Sequence, residues 1–182
     1  MFHGQSALRH LAVAALCCAA FASAPAFAVD APQSSSGAKQ TVVFICSHGT
    51  IKSLMAAQRF NKMAAERGIS VRAISRAANA HTVDKFVPDK VADAMTKDGY
   101  YVDEVVPKIL TQDEAAKALQ VVHVSLEDPS DDPDAKPAVG VAVKRWDGIP
   151  SGLRDYPTAK KMINERVDAM VEEYAKKTTA AK

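Results

Sequence analysis

The chain has 182 residues, 48% of them apolar and 24% charged, a makeup that buries a real core and excludes disordered and collagen-like chains. Its formal charge of +2 is far from the basic excess a nucleic-acid-binding face needs, and no basic patch interleaved with aromatic residues occurs, so no nucleic-acid partner is expected.

His3, Arg9 and His10 precede an apolar run from Leu11 to Ala22, and Ala26-Phe27-Ala28 supplies the small residues of a cleavage site. The pattern predicts a signal peptide over 1–28 and export to the periplasm or medium. The run is shorter than the roughly 20 apolar residues of a spanning helix, so no stable membrane insertion is expected after cleavage. Bulky Leu16 ahead of Cys17 argues against a lipoprotein. Cys17 and Cys18 leave with the signal, which makes Cys46 the only thiol of the processed chain and rules out an internal disulfide. Such a lone cysteine is ordinarily a small buried hydrophobe, and only its neighbours argue otherwise.

Residues 29–39 read as a flexible linker rich in Ser, Ala and Pro. An α/β domain is expected over 40–176 and a disordered tail over 177–182. Thr41 to Cys46 is a short β-branched and aromatic run that suits a buried strand. From Ser53 the pattern turns helical, with Ala56, Phe60, Met63 and Ala64 on one face and Gly68 at the C-terminus. Ile69 to Ile74 predicts a second strand. Pro88 suits the first turn of a second helix, with Val91, Ala94 and Met95 as its apolar side. Tyr101 to Val106 predicts a third strand. Thr111 and Glu114 form a capping-box pattern opening a short helix through Leu119. Val121 to Leu126 predicts a fourth strand, Glu127 to Pro137 an acidic loop, and Val139 to Trp146 a further short extended segment before the turn Gly148 to Gly152. From Tyr156 a last helix carries Ile163, Val167, Met170, Val171 and Tyr174 in one stripe. Strands alternating with helices imply right-handed crossovers and a parallel sheet. The expected fold is α/β, a three-layer sandwich with a four-stranded parallel sheet.

Ligands of such sheets bind beyond the carboxyl ends of the strands, where Cys46 falls. Val43-Phe44-Ile45-Cys46-Ser47-His48-Gly49-Thr50-Ile51-Lys52-Ser53 is a strand, a tight loop holding a thiol, and a helix N-terminus with a cation. The amides of Ser47, His48, Gly49, Thr50 and Ile51, with the positive end of the helix, make an anion cradle. The same field favours the Cys46 thiolate, to which Ser53 can donate its hydroxyl.

This stretch resembles the signature of the low-molecular-weight protein tyrosine phosphatases and the arsenate reductases related to them: a strand, C(x)5R followed by Ser or Thr, then a helix. Leu54-Met55-Ala56 and Ala73-Ile74-Ser75 are similar to the family's residues at those places, and the likeness spans about Thr41 to Tyr174. It implies attack of the cysteine on phosphorus, a phosphocysteine, a leaving oxygen protonated by an aspartate of a late Asp-Pro loop, and release of phosphate by water. Two departures stand out. The family's arginine is Lys52, which keeps the charge but not the flat two-pronged grip. The family's aspartate falls, by spacing, on Ile149 ahead of Pro150, which leaves Asp147 as the nearest substitute and Asp128 and Asp132 as earlier alternatives.

Arg76, next to Ser75, is a candidate for restoring the lost charge geometry, or equally a surface residue. His48 either bonds the thiolate or leaving group or only presents its amide. His81 and His123 lack metal-ligand spacing, and Asp128, Asp131, Asp132 and Asp134 lack the glycine and spacing of a calcium loop, so no metal and no cofactor are expected. The reading is a phosphatase-like hydrolase of phosphotyrosine or small aryl phosphate esters with weak turnover. Its expected partner is phosphate or another oxyanion, a phosphorylated protein included. The alternatives are a catalytically degenerate oxyanion- or phosphoprotein-binding module in the cell envelope and, less favoured, an arsenate reductase using an external thiol, since the processed chain has no second cysteine.

Overall fold

A computed structural model describes residues 40–78, 84–124 and 141–180, with side chains through Thr178. The predicted signal, the linker, His81 and the acidic loop with Asp128, Asp131, Asp132 and Asp134 lie outside the described residues. In chain order the elements are β1 (Gln40–Cys46), α1 (Lys52–Glu66), β2 (Val71–Ala77), α2 (Asp89–Lys97), α3 (Gln112–Lys117), β3 (Gln120–Val124), β4 (Val143–Trp146) and α4 (Tyr156–Ala180). The strands form one sheet in the order β2-β1-β3-β4, every pairing parallel.

Parallel strands are covered on both faces, which is why central β1 is buried from Val42 to Cys46 rather than alternating in exposure. Val42 and Phe44 face one layer, where they join Phe60 and Met63 of α1, Val91 and Met95 of α2, and Ile163, Val167 and Val171 of α4. Val43 and Ile45 face the other, with Val121 and with Ala115 of α3. Phe44 is the hinge pin of the first layer, its ring centroid 6.1 Å from Phe60 and 5.4 Å from Trp146. Fully burying each such side chain contributes roughly 1.5–3 kcal/mol.

Local signals position α1. Gly68 at φ 64 ends the helix; its N–H donates to Ala65 and that of Ile69 to Ala64, the paired bonds of a left-handed glycine stop. The Thr111–Glu114 capping box is formed as its spacing predicts.

Two expectations are corrected. Tyr101 to Val106 is not a strand; the fourth strand of the sheet is β4, the segment expected only as a further extension. Around Tyr101 the strand's role is taken by a side chain: the Gln58 amide donates to the Tyr101 carbonyl (2.6 Å) and accepts from its N–H (2.7 Å). Glu104 then turns the chain at φ 59, and only Ile109 bridges to the outer side of β2, at Ala77. The helix α4 also runs past residue 176, to Ala180. Lys177 lies over the Tyr174 ring, 5.6 Å from its centroid, and the Thr178 hydroxyl donates to the Tyr174 carbonyl (2.9 Å); a cation in the last turn also suits the helix dipole.

Candidate active site

Cys46 ends β1, at the carboxyl edge of the sheet, and is buried, as are Thr50, Ile51, Lys52 and Ser53. The loop from Ser47 to Ile51 is folded by where its carbonyls go. The Cys46 carbonyl accepts from Ala78 N–H (2.9 Å), that of His48 from Asp84 N–H (3.3 Å), that of Ile51 from Met55 N–H (2.9 Å), and that of Gly49 from the Ser75 hydroxyl (3.1 Å). A planar trans peptide sets C=O and the next N–H in opposite directions. The N–H groups of Ser47, Gly49 and Thr50 are therefore turned the other way, and that of Lys52 points out of the first turn of α1. Gly49 makes this possible twice over: its φ is 75°, and a Cβ there would lie 2.8 Å from the Ala77 nitrogen.

The helix end is positive in character. Ile51 caps α1 with no side-chain bond and no acidic residue sits in the first turn, while Lys52 adds a cation where the dipole is already positive. Both features favour an anion at this end of the helix.

Behind the sulfur runs a short hydroxyl relay. Cys46 Sγ lies 3.1 Å from Ser53 Oγ, and Ser53 Oγ 2.8 Å from Ser75 Oγ, which donates onward to the Gly49 carbonyl. With a thiol, three hydrogens serve three contacts in one direction. With a thiolate, Ser53 turns to donate to the sulfur instead, and the single Ser75 hydrogen is left to serve either Ser53 or the Gly49 carbonyl.

A cavity of about 210 Å³ opens over this floor, lined by Cys46, Ser47, His48, Thr50, Ile51, Lys52, Asp84 and the segment Ser151 to Arg154. It is smaller than the roughly 300–1,000 Å³ of a drug-sized pocket and suits a single oxyanion group. Wider depressions of about 580 Å³ beside Tyr100 and about 970 Å³ beside Tyr174 do not include Cys46.

Most of the sequence-derived candidates meet here: Cys46, Ser47, His48, Thr50, Ile51 and Lys52 line the cavity, Ser53 supports the sulfur, and Gly49 shapes the loop. Arg76 and Asp147 do not meet it. Arg76 grips both carboxylate oxygens of Glu114 and donates to the Ser75 carbonyl (2.7 Å), because its side chain leaves β2 toward α3. Asp147 is exposed in the turn after β4, accepts from Arg145 (3.2 Å), and offers its carbonyl to Arg166 (2.7 Å). Ile149 is fully buried in the core. His123 is likewise a core residue, its Nδ1 3.2 Å from Arg145 Nη1.

Sequence reasoning missed Asp84, Ser151, Leu153 and Arg154. The available signal was Gly152, where a Cβ would come within 2.5 Å of Ile51 Cγ2; a glycine so placed brings its loop down onto the cysteine loop.

Residues 41–130 match the sequence model of the low molecular weight phosphotyrosine protein phosphatase family. Among solved structures, YfkJ from Bacillus subtilis is similar at a TM-score of 0.64 and 14% identity, over 78% of this chain and 98% of its own. Arsenate reductase from Archaeoglobus fulgidus gives 0.54 and 26%, over 72% and 98%. Vibrio vulnificus Wzb, solved with benzylphosphonate, gives 0.58 and 12%, over 74% and 99%. No curated protein sequence matches the chain. Over residues 41–130 the chain is thus similar in sequence to the low molecular weight phosphotyrosine protein phosphatase family, and its four-stranded parallel fold is the one these solved structures share.

Proposed function

We propose that the protein is an exported hydrolase of phosphotyrosine or small aryl phosphate esters, working through a cysteinyl-phosphate. One observation carries the reading: Cys46 lines a small cavity, beside a loop in which the carbonyls of Cys46, His48, Gly49 and Ile51 are turned to other partners. In the proposed cycle Cys46 attacks phosphorus, and the loop amides and Lys52 hold the equatorial oxygens as charge redistributes. Ser53 stabilises the sulfur as it leaves in the second step. Export rests on the pattern of residues 1–28, and fractionation of producing cells is its test.

The purified protein should release nitrophenol from 4-nitrophenyl phosphate, and Cys46→Ser should lower kcat by more than about 10³-fold, the scale seen when a nucleophile is removed. Equal rates for the two proteins would remove the proposal.

Burial of Ile149 where the family's acid stands and Lys52 in place of arginine favour a second reading, an oxyanion- or phosphoprotein-binding module without turnover. Calorimetry showing phosphate binding while no ester is cleaved would select it. The likeness to an arsenate reductase supports a lesser reading, arsenate reduction with an external thiol. Glutathione or glutaredoxin assays that yield no arsenite would close it.

A further inference from the structure

A leaving alkoxide or phenoxide needs a proton, and among the described residues the expected donor does not line the cavity: Ile149, at the family's acid position, is a buried apolar residue and Asp147 is paired with Arg145, while Asp128 and Asp132 lie outside the described residues. Asp84 differs. It lines the cavity with Cys46, and the cysteine loop holds it at two points. The Thr50 hydroxyl donates to its Oδ2 (2.8 Å), and its own N–H donates to the His48 carbonyl (3.3 Å). Among the described residues it is the carboxylate of that cavity. It comes from the segment after β2 rather than from the turn ahead of α4.

We infer that Asp84 is the proton donor of this site, an assignment that rests on the hydrolase reading above. Thr50 occupies one carboxyl oxygen and fixes the plane of the group, leaving Oδ1 to carry the proton. In the first step the Cys46 thiolate forms the S–P bond, the P–O bond to the alcohol breaks, and the Asp84 proton passes to the departing oxygen. In the second step water attacks phosphorus, its proton returns to the Asp84 carboxylate, and the S–P bond breaks to release phosphate and the thiolate. The cations facing this exchange are Lys52 and Arg154, with His48 at the rim. They balance the phosphoryl charge beside the carboxyl and so let an acidic group work next to a dianion.

A residue that only anchors Thr50 would slow all esters alike, whereas a proton donor matters most for a poor leaving group. The test compares phenyl phosphate with 2,4-dinitrophenyl phosphate. Asp84→Asn keeps an acceptor for Thr50 and should lower kcat at least about 100-fold on the phenyl ester, as loss of general acid catalysis does, and less than about fivefold on the dinitrophenyl ester. Equal losses on both esters, no loss on either, or the selective pattern arising from Asp147→Asn would each overturn the assignment. A second measurement needs no variant: in the unaltered protein, rates across a phenol series should depend only weakly on the leaving group, and a steep dependence also overturns it. If the unaltered protein cleaves none of these esters while Cys46 is intact, the hydrolase reading falls and takes this one with it. Turnover that Asp84→Asn leaves untouched removes only this one.

Discussion

The floor of the cavity and its rim are built in opposite ways. The floor is a run of consecutive residues, Cys46 to Ser53, nearly all buried, with its carbonyls bonded outward and its glycine pressed on the Ala77 backbone. The rim is assembled from Asp84 and from Ser151 to Arg154, and Leu153 and Arg154 are exposed. A floor made of backbone can only be what its fold makes it, which on the proposed reading is a nest for a tetrahedral anion. A rim made of side chains on separate loops is free to change, and the carboxylate it holds among the described residues is Asp84. Binding and turnover are thus expected to fail under different substitutions.

Gly49→Ala should have the largest effect on the floor. The new methyl group would demand a left-handed backbone and meet the Ala77 nitrogen at 2.8 Å. Backbone cannot yield as a flexible side chain does, so about 2–4 kcal/mol of stability should be lost in urea titration. Phosphate affinity should fall with it. A variant as stable as the parent would show that the loop is soft, and the contrast with the rim would break.

Lys52→Arg sharpens the comparison from the other side. If the floor lacks only the two-pronged grip, turnover should rise about tenfold while phosphate affinity changes less, because such clamps act mainly in the transition state. A fall in turnover would mean that buried Lys52, only 7% exposed, is the cation this floor was shaped around. The fork geometry would then belong to Arg154 at the rim.

The floor was legible in the sequence because everything it needs is contiguous: a strand that ends in cysteine, a glycine, a basic residue, a helix start. The rim was not, since nothing local in Asp84 or Arg154 distinguishes them from surface charges until the fold brings 84 and 154 to one cavity. The missed edge of the sheet has the same origin. Tyr101 to Val106 and Val143 to Trp146 are both short runs rich in β-branched and aromatic residues, and local pattern cannot decide which one finds a strand to pair with. Val121 to Val124 pairs with the second, while the Gln58 amide satisfies the backbone of Tyr101. Arg76 was misplaced for a related reason. A position beside Ser75 says where the backbone is, not that Glu114, 38 residues on, waits on the other side of β2.

That ion pair supplies the smallest test, and it separates support of the floor from the floor itself. Arg76 holds Glu114 and, through the Ser75 carbonyl, the end of the strand whose serine reaches the relay. The hydrogen bonds from Arg76 hold the Glu114 carboxyl below its ordinary value, against the opposing cost of burial. A carboxyl lowered on folding contributes stability above its unfolded pKa and loses it as pH falls through the lowered, folded value. Glu114→Gln keeps a residue able to serve the capping box with Thr111 and removes only the charge. Because both partners are partly exposed, at 17% and 30%, the cost at neutral pH should be about 1 kcal/mol. Thermal melts of parent and variant should converge as the pH is lowered into the acid range, while ester hydrolysis at neutral pH stays within about twofold, since Glu114 touches no atom of the cavity. A variant that keeps its stability but loses turnover would mean that the floor depends on side-chain charge behind β2, and the division between backbone floor and side-chain rim would have to be redrawn.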